Sequence, residues 1–142
     1  MTWWKFWAKS GAGAAPDYYE EGVALLRREF YHEALTSFRL ALKEHPDDAA
    51  TLEQMAVAYT HIGLPDDAAR AYRRALDLRP DSPSAHYGLA FLRLKAGRRP
   101  DAIRHLEAFL QHARLDREDA RHIEHARRTL VRLSGPDAGS PA

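Results

Sequence analysis

AATLEQMAVAYTHIGLPDDAARAYRRALDLRP, residues 49–80, carries the pattern that decides the architecture of this 142-residue chain. Its Ala68 recurs 34 residues to either side, as Ala34 and Ala102, and a bulky apolar residue follows each alanine four positions later: Phe38, Tyr72 and Leu106. Small residues recur at Gly22, Ala56 and Ala90. A fixed period near 34 with small residues at the helix contacts predicts stacked helical hairpins, none able to bury its apolar face alone. Within a unit the apolar residues fall at helical intervals, as in Leu35, Phe38 and Leu42, or Tyr72, Leu76 and Leu78, so each helix has one stripe to bury.

The punctuation agrees with that reading. Gly63 and Gly97 sit where the chain must turn after a first helix, and Pro65 and Pro100 follow where the next helix begins and a missing N–H costs little. Between units, Pro46-Asp47-Asp48 and Pro80-Asp81-Ser82-Pro83 stop one helix and start another, with Asp48 and Ser82 as N-caps. No stretch alternates apolar and polar residues as a half-buried strand does.

On these residues the segment 49–80 resembles a tetratricopeptide repeat, through Leu52, Met55, Ala56, Tyr59, Ala68, Tyr72, Ala75 and the closing Pro80. The segment 15–46 is similar, with Tyr18, Gly22, Leu25, Ala34, Phe38, Ala41 and Pro46, although Glu21 replaces an apolar residue and Glu29 the turn glycine. The segment 83–114 keeps Leu89, Ala90, Gly97, Ala102 and Leu106, but has Arg93 for an aromatic, Phe109 for a small residue and Arg114 for the closing proline. The expected fold is all-α, a right-handed α-solenoid of three such hairpins (about 15–48, 49–82 and 83–116) with a C-terminal capping helix over 117–133. That helix has Ile123, Ala126, Leu130 and Val131 after Leu115, and arginines on its other side. The solenoid is expected to fill 17–133, preceded by an aromatic segment and flexible linker at 1–16 and followed by a disordered tail at 134–142.

The resemblance implies that the first helix of each pair lines a concave groove. The matching positions are Tyr19, Val23 and Leu26, then Glu53, Val57 and Thr60, then Tyr87, Phe91 and Leu94, a predominantly apolar strip. An exposed strip of this kind marks a site for a protein or peptide client. In the other reading Tyr87, Phe91 and Leu94 pack inside a tightly curled solenoid. The family's best understood peptide sites hold a C-terminal carboxylate with lysine, asparagine and arginine. This chain has Tyr19, Val23, Gln54, Ser84 and Gly88 there, so acidic C-terminal tails of the chaperone type are not its expected ligands.

A second candidate site is the segment Trp3-Trp4-Lys5-Phe6-Trp7, with Lys9 beyond it. So many aromatic rings cannot be buried by so short a segment, and three surfaces could receive them: a membrane interface, a groove of this or a neighbouring chain, or a separate partner. Six residues from Ser10 to Ala15 allow a reach of about 20 Å. The remaining reading is an unstructured chain terminus.

Residues 17–92 hold 8 Lys and Arg against 13 Asp and Glu, a net −5, whereas residues 93–133 hold 11 against 6, a net +5. The charge either keeps the helix faces solvated, draws an acidic partner, or drives salt-sensitive head-to-tail self-association. The arginines lack interleaved aromatics that stack bases, which argues against nucleic acid. With no cysteine there are no disulfides, thiolate nucleophiles or cysteine zinc sites. No apolar run reaches the length of a membrane span, and the aromatic segment is too short for a signal peptide, so the cytoplasm, or the inner face of its membrane, is the expected location. No Gly-rich phosphate loop, nucleophile elbow or HExxH pair occurs, and His122 and His125 lack a third ligand, so neither catalysis nor a metal or other cofactor is expected. The sequence therefore points to a non-catalytic interaction adaptor, or alternatively to a peripheral membrane tether built on Trp3, Trp4, Phe6 and Trp7.

Overall fold

The computed structural model describes residues 15–114 and 117–135, and regular structure among them is entirely helical. Seven helices follow in order: α1 (Tyr18–Arg27), α2 (Tyr31–Glu44), α3 (Ala49–His61), α4 (Pro65–Leu78), α5 (Pro83–Lys95), α6 (Arg99–His112) and α7 (Arg117–Ser134). The pairs α1/α2, α3/α4 and α5/α6 form three hairpins that stack into a right-handed α-solenoid, and α7 packs on α6. Trp3, Trp4, Phe6 and Trp7, and the tail beyond residue 135, lie outside the described residues.

Each first helix opens on a side-chain cap. Asp17 accepts from the Glu20 N–H at 3.1 Å, Asp48 from the Ala50 N–H at 3.2 Å, and Ser82 from the Ala85 N–H at 3.4 Å. Each first helix also closes the same way. The N–H groups of Phe30, Leu64 and Arg98 reach back five residues to the carbonyls of Leu25, Tyr59 and Arg93 at 2.8–2.9 Å, the Schellman closure that needs a left-handed residue just before it. Gly63 (φ 78°), Gly97 (φ 76°) and, without the freedom of a glycine, Glu29 (φ 63°) supply it. Pro65 begins α4 and Pro100 is the second residue of α6, where neither removes a helical hydrogen bond.

The core runs as three clusters along the stack. Leu25, Ala34, Leu35 and Phe38 meet Met55 and Ala58 of the next hairpin. Leu52, Ala56, Ala68, Tyr72 and Ala75 meet Ala85, Leu89 and Leu92. Leu106 and Phe109 meet Ile123, Ala126 and Leu133 of α7. Close approach explains the small residues: a Cβ on Gly22 would lie 2.4 Å from the Phe38 ring, far inside contact distance. Ala34, Ala56, Ala68 and Ala102 are all fully buried at equivalent contacts.

Candidate functional site

Helices α3 and α5 run side by side and leave a cavity of about 290 Å³ between them. Val57, Thr60 and His61 come from α3, and Tyr87, Gly88, Phe91, Leu92 and Lys95 from α5. Tyr72 of α4 completes the lining. Gly88 permits this, because a Cβ there would lie 2.3 Å from Cζ of the Tyr72 ring. With only 6% of its surface exposed, the Tyr72 phenol is pushed up to about 12, first by burial and then by the Glu53 carboxylate. Burial also raises the Tyr87 phenol. The cavity is thus walled by aliphatic and aromatic groups, with hydroxyl, imidazole and ammonium groups from Thr60, His61 and Lys95.

Of the nine groove positions, Val57, Thr60, Tyr87 and Phe91 line this cavity. Tyr19, Val23 and Leu26 are instead half-buried against the first core cluster, with the Tyr19 ring 6.3 Å from that of Phe38. The Tyr19 phenol is raised by burial, then by the carboxylates of Asp48, Glu20 and Glu53. Leu94 is half-buried against the third cluster.

Glu53 departs from the expected strip, since it is 8% exposed and turned into the stack. Its carboxylate accepts from the Ser82 hydroxyl, from the Ser84 hydroxyl at 2.6 Å and from the Arg79 guanidinium at 3.3 Å. It therefore ties α3 to the turn between α4 and α5. A carboxylate that desolvated needs such donors, and the two serines and the arginine supply them.

Helix α7 does more than close the stack. One further 34-residue step from Val57 and Phe91 lands on His125, whose ring lies 4.9 Å from Phe91. The His122 ring meets the Tyr87 ring edge-on at 4.7 Å. Helix α7 thus occupies the place of a fourth first helix and carries the inner face onward as Arg121, His125 and Arg128, all exposed. Glu124 stands where Ala56 and Ala90 meet a second helix. Since no described helix follows, that position is exposed and Glu124 pairs with Arg128 at 3.1 Å. The Tyr87 and Phe91 rings are shared, lining the cavity toward α3 and packing under the α7 histidines on the other side.

A second histidine pair bridges α5 and α6. His86 Nε2–H donates to the Pro80 carbonyl at 2.7 Å, and its Nδ1 is hydrogen-bonded to Nδ1 of His105 at 3.1 Å. Burial, then His86 and Arg93, lower the proton affinity of His105. Among the described residues no three His, Cys, Asp or Glu side chains gather as a metal site, and no helix is long and apolar enough to cross a membrane.

Two family models, both described as tetratricopeptide repeat, match residues 19–83 and 63–123 and together span most of the chain. The chain belongs to the tetratricopeptide repeat family. Among curated relatives it is 38% identical over 84 residues to the photosystem I assembly protein Ycf3 of Prochlorococcus marinus, covering 57% of this chain and 49% of that protein. The chain spans about half the length of the curated relatives it matches first. Among solved structures it is similar to the Yersinia enterocolitica type III secretion chaperone SycD in complex with a peptide of the translocator YopD. The TM-score is 0.76 at 15% identity, covering 82% of this chain and 88% of that one. It is also similar to the first tetratricopeptide repeat domain of Spaghetti bound to the HSP90 peptide SRMEEVD, with TM-score 0.69 at 17% identity over 80% and 90% of the two chains. At such identities these structures establish the shared fold.

Proposed function

We propose that this repeat solenoid is a non-catalytic protein-interaction adaptor that takes a helix or an extended peptide along its inner face. The observation that carries the reading is the apolar cavity between α3 and α5, walled by Val57, Tyr87, Phe91 and Leu92. An aromatic or branched aliphatic side chain of the client fits such a cleft as an anchor, and the flanking residues exclude water around it. The peptide complexes of SycD and Spaghetti support the use of this fold as a peptide receptor.

The inner face also has a direction. It passes from half-buried Tyr19, Val23 and Leu26 on α1 to exposed Arg121, His125 and Arg128 on α7, so a client with acidic residues at one end is oriented by charge. An acidic C-terminal tail of the chaperone type is not an expected ligand. On α1, Tyr19 and Val23 stand in place of cationic and amide groups, and on α5, Ser84 is engaged by Glu53 and Gly88 is backed by the Tyr72 ring.

Val57→Glu places a carboxylate in the cavity wall. Affinity capture with this variant, its helicity matched to the parent by circular dichroism, is expected to lose the clients retained by the parent chain. Capture of the same clients in the same amounts removes the inner face from the account.

A further inference from the structure

The α3/α5 cavity has a suitable occupant on its own chain. We propose that the aromatic segment at residues 3–7 docks its indole rings into that cavity in cis, and so competes with the client. The competition rests on the function proposed above; the docking itself does not.

The chemistry of the two surfaces matches. Trp3, Trp4, Phe6 and Trp7 bring four rings within five residues, each presenting roughly 150–250 Å² that favours removal from water. The cavity offers aliphatic and aromatic walls in Val57, Tyr87, Phe91 and Leu92, and Lys95 in its lining is a cation of the kind that indole faces attract. Lys5 and Lys9 flank the rings, and residues 17–92, most of the solenoid that the linker must cross, are net −5 from 8 basic and 13 acidic residues, which draws the basic segment toward the stack; the cavity lining itself contributes Lys95 and no carboxylate.

The reach is sufficient. Ten residues, 8–17, separate Trp7 from the start of α1 at Tyr18, and ten extended residues span about 33 Å. From α1 to the gap between α3 and α5 is about one and a half helix spacings, roughly 15 Å. The distance along α3 from Ala49 to Thr60 is about 16 Å at the helical rise. The diagonal of those two, near 22 Å, lies well inside the reach of the linker.

A linker this short also selects the chain's own cavity over that of a second copy. It holds the rings at an effective concentration on the order of millimolar, far above a micromolar solution of separate chains.

Trp3, Trp4 and Trp7 are the only tryptophans, and the chain has no cysteine, so one experiment reads the segment without interference. A nitroxide is attached to Thr60→Cys at the exposed cavity rim, or to Lys43→Cys on the exposed side of α2, and tryptophan emission of the full chain is recorded at several micromolar concentrations. The expected result is blue-shifted emission, quenched by the label at Thr60 and little affected by the label at Lys43, with both independent of concentration. Red-shifted emission in buffer overturns the proposal, and a further blue shift on adding phosphatidylglycerol vesicles then assigns the segment to a membrane surface. Blue emission that appears only as concentration rises, or that neither label distinguishes, also overturns it in favour of a second copy or another site. Because no client is present, any of these failures leaves the client-binding role of the inner face standing. That role fails separately, by unaltered capture with Val57→Glu.

Discussion

Three residues in the left-handed region, Glu29, Gly63 and Gly97, do the same work at successive turns, and only the first has a Cβ. An L-residue there costs about 1–2 kcal/mol, partly offset by the greater entropy a glycine loses on folding. Glu29→Gly is therefore expected to stabilise the protein by about 0.5–1 kcal/mol. Gly63→Ala is expected to destabilise it by about 1 kcal/mol, with no steric contribution, since a Cβ at Gly63 meets nothing within 4 Å. Urea midpoints of the two variants read both effects, and shifts of the same sign would contradict this account of the turns. At the same scale, the buried Tyr72 phenol makes stability sensitive to alkali. Its folded value near 12 lies above the unfolded value of 10, so the contribution is fully present below pH 10 and is lost as pH rises toward 12. The loss is on the order of 3 kcal/mol. Denaturant titrations at rising pH are expected to show a steeper decline for the parent than for Tyr72→Phe.

Elements are held in register by contacts that periodicity does not specify. Glu53 gathers Ser82, Ser84 and Arg79 and so fixes the end of one hairpin and the start of the next against α3. Glu53→Ala leaves the buried Ser82 hydroxyl without that acceptor, and is expected to cost about 1–3 kcal/mol in a thermal or urea melt; an unchanged melt would mean the contact is incidental. The hairpin elements themselves were legible in the sequence. Caps at Asp48 and Ser82, turns at Gly63 and Gly97, and small residues at Ala34, Ala68 and Ala102 each impose a local constraint that survives into the fold. The repeat position of Glu53 matches Tyr19 and Tyr87 and so points to the groove, while its chemistry answers to two serines and an arginine about 30 residues away, which periodicity does not register. The role of α7 was half legible. Its apolar residues predict a cap, but its identity as a fourth first helix shows only when the 34-residue step is carried on to His125, a polar residue that breaks the apolar strip.

On the scale of the whole molecule, stacking turns a sequence repeat into a continuous inner surface whose character changes along its length. The site is a property of that stacking: Val57 and Phe91 are 34 residues apart, and Tyr72 reaches the cavity lining only because residue 88 is glycine. This is why the groove was legible as a set of positions, whereas the particular contribution of Tyr72, Leu92 and Lys95 was not. The inner face ends on the exposed Arg121, His125 and Arg128 of α7, so binding of a client with acidic residues is expected to weaken as salt rises while the apolar anchor persists. The most direct measurement of the central claim is site-specific photo-crosslinking. One benzophenone is placed at Thr60 on the cavity rim and another at Lys43 on α2, in otherwise identical chains exposed to the same cell extract. The account predicts discrete client adducts from Thr60 that are absent from Lys43 and disappear with Val57→Glu; equal adducts from both positions would contradict it.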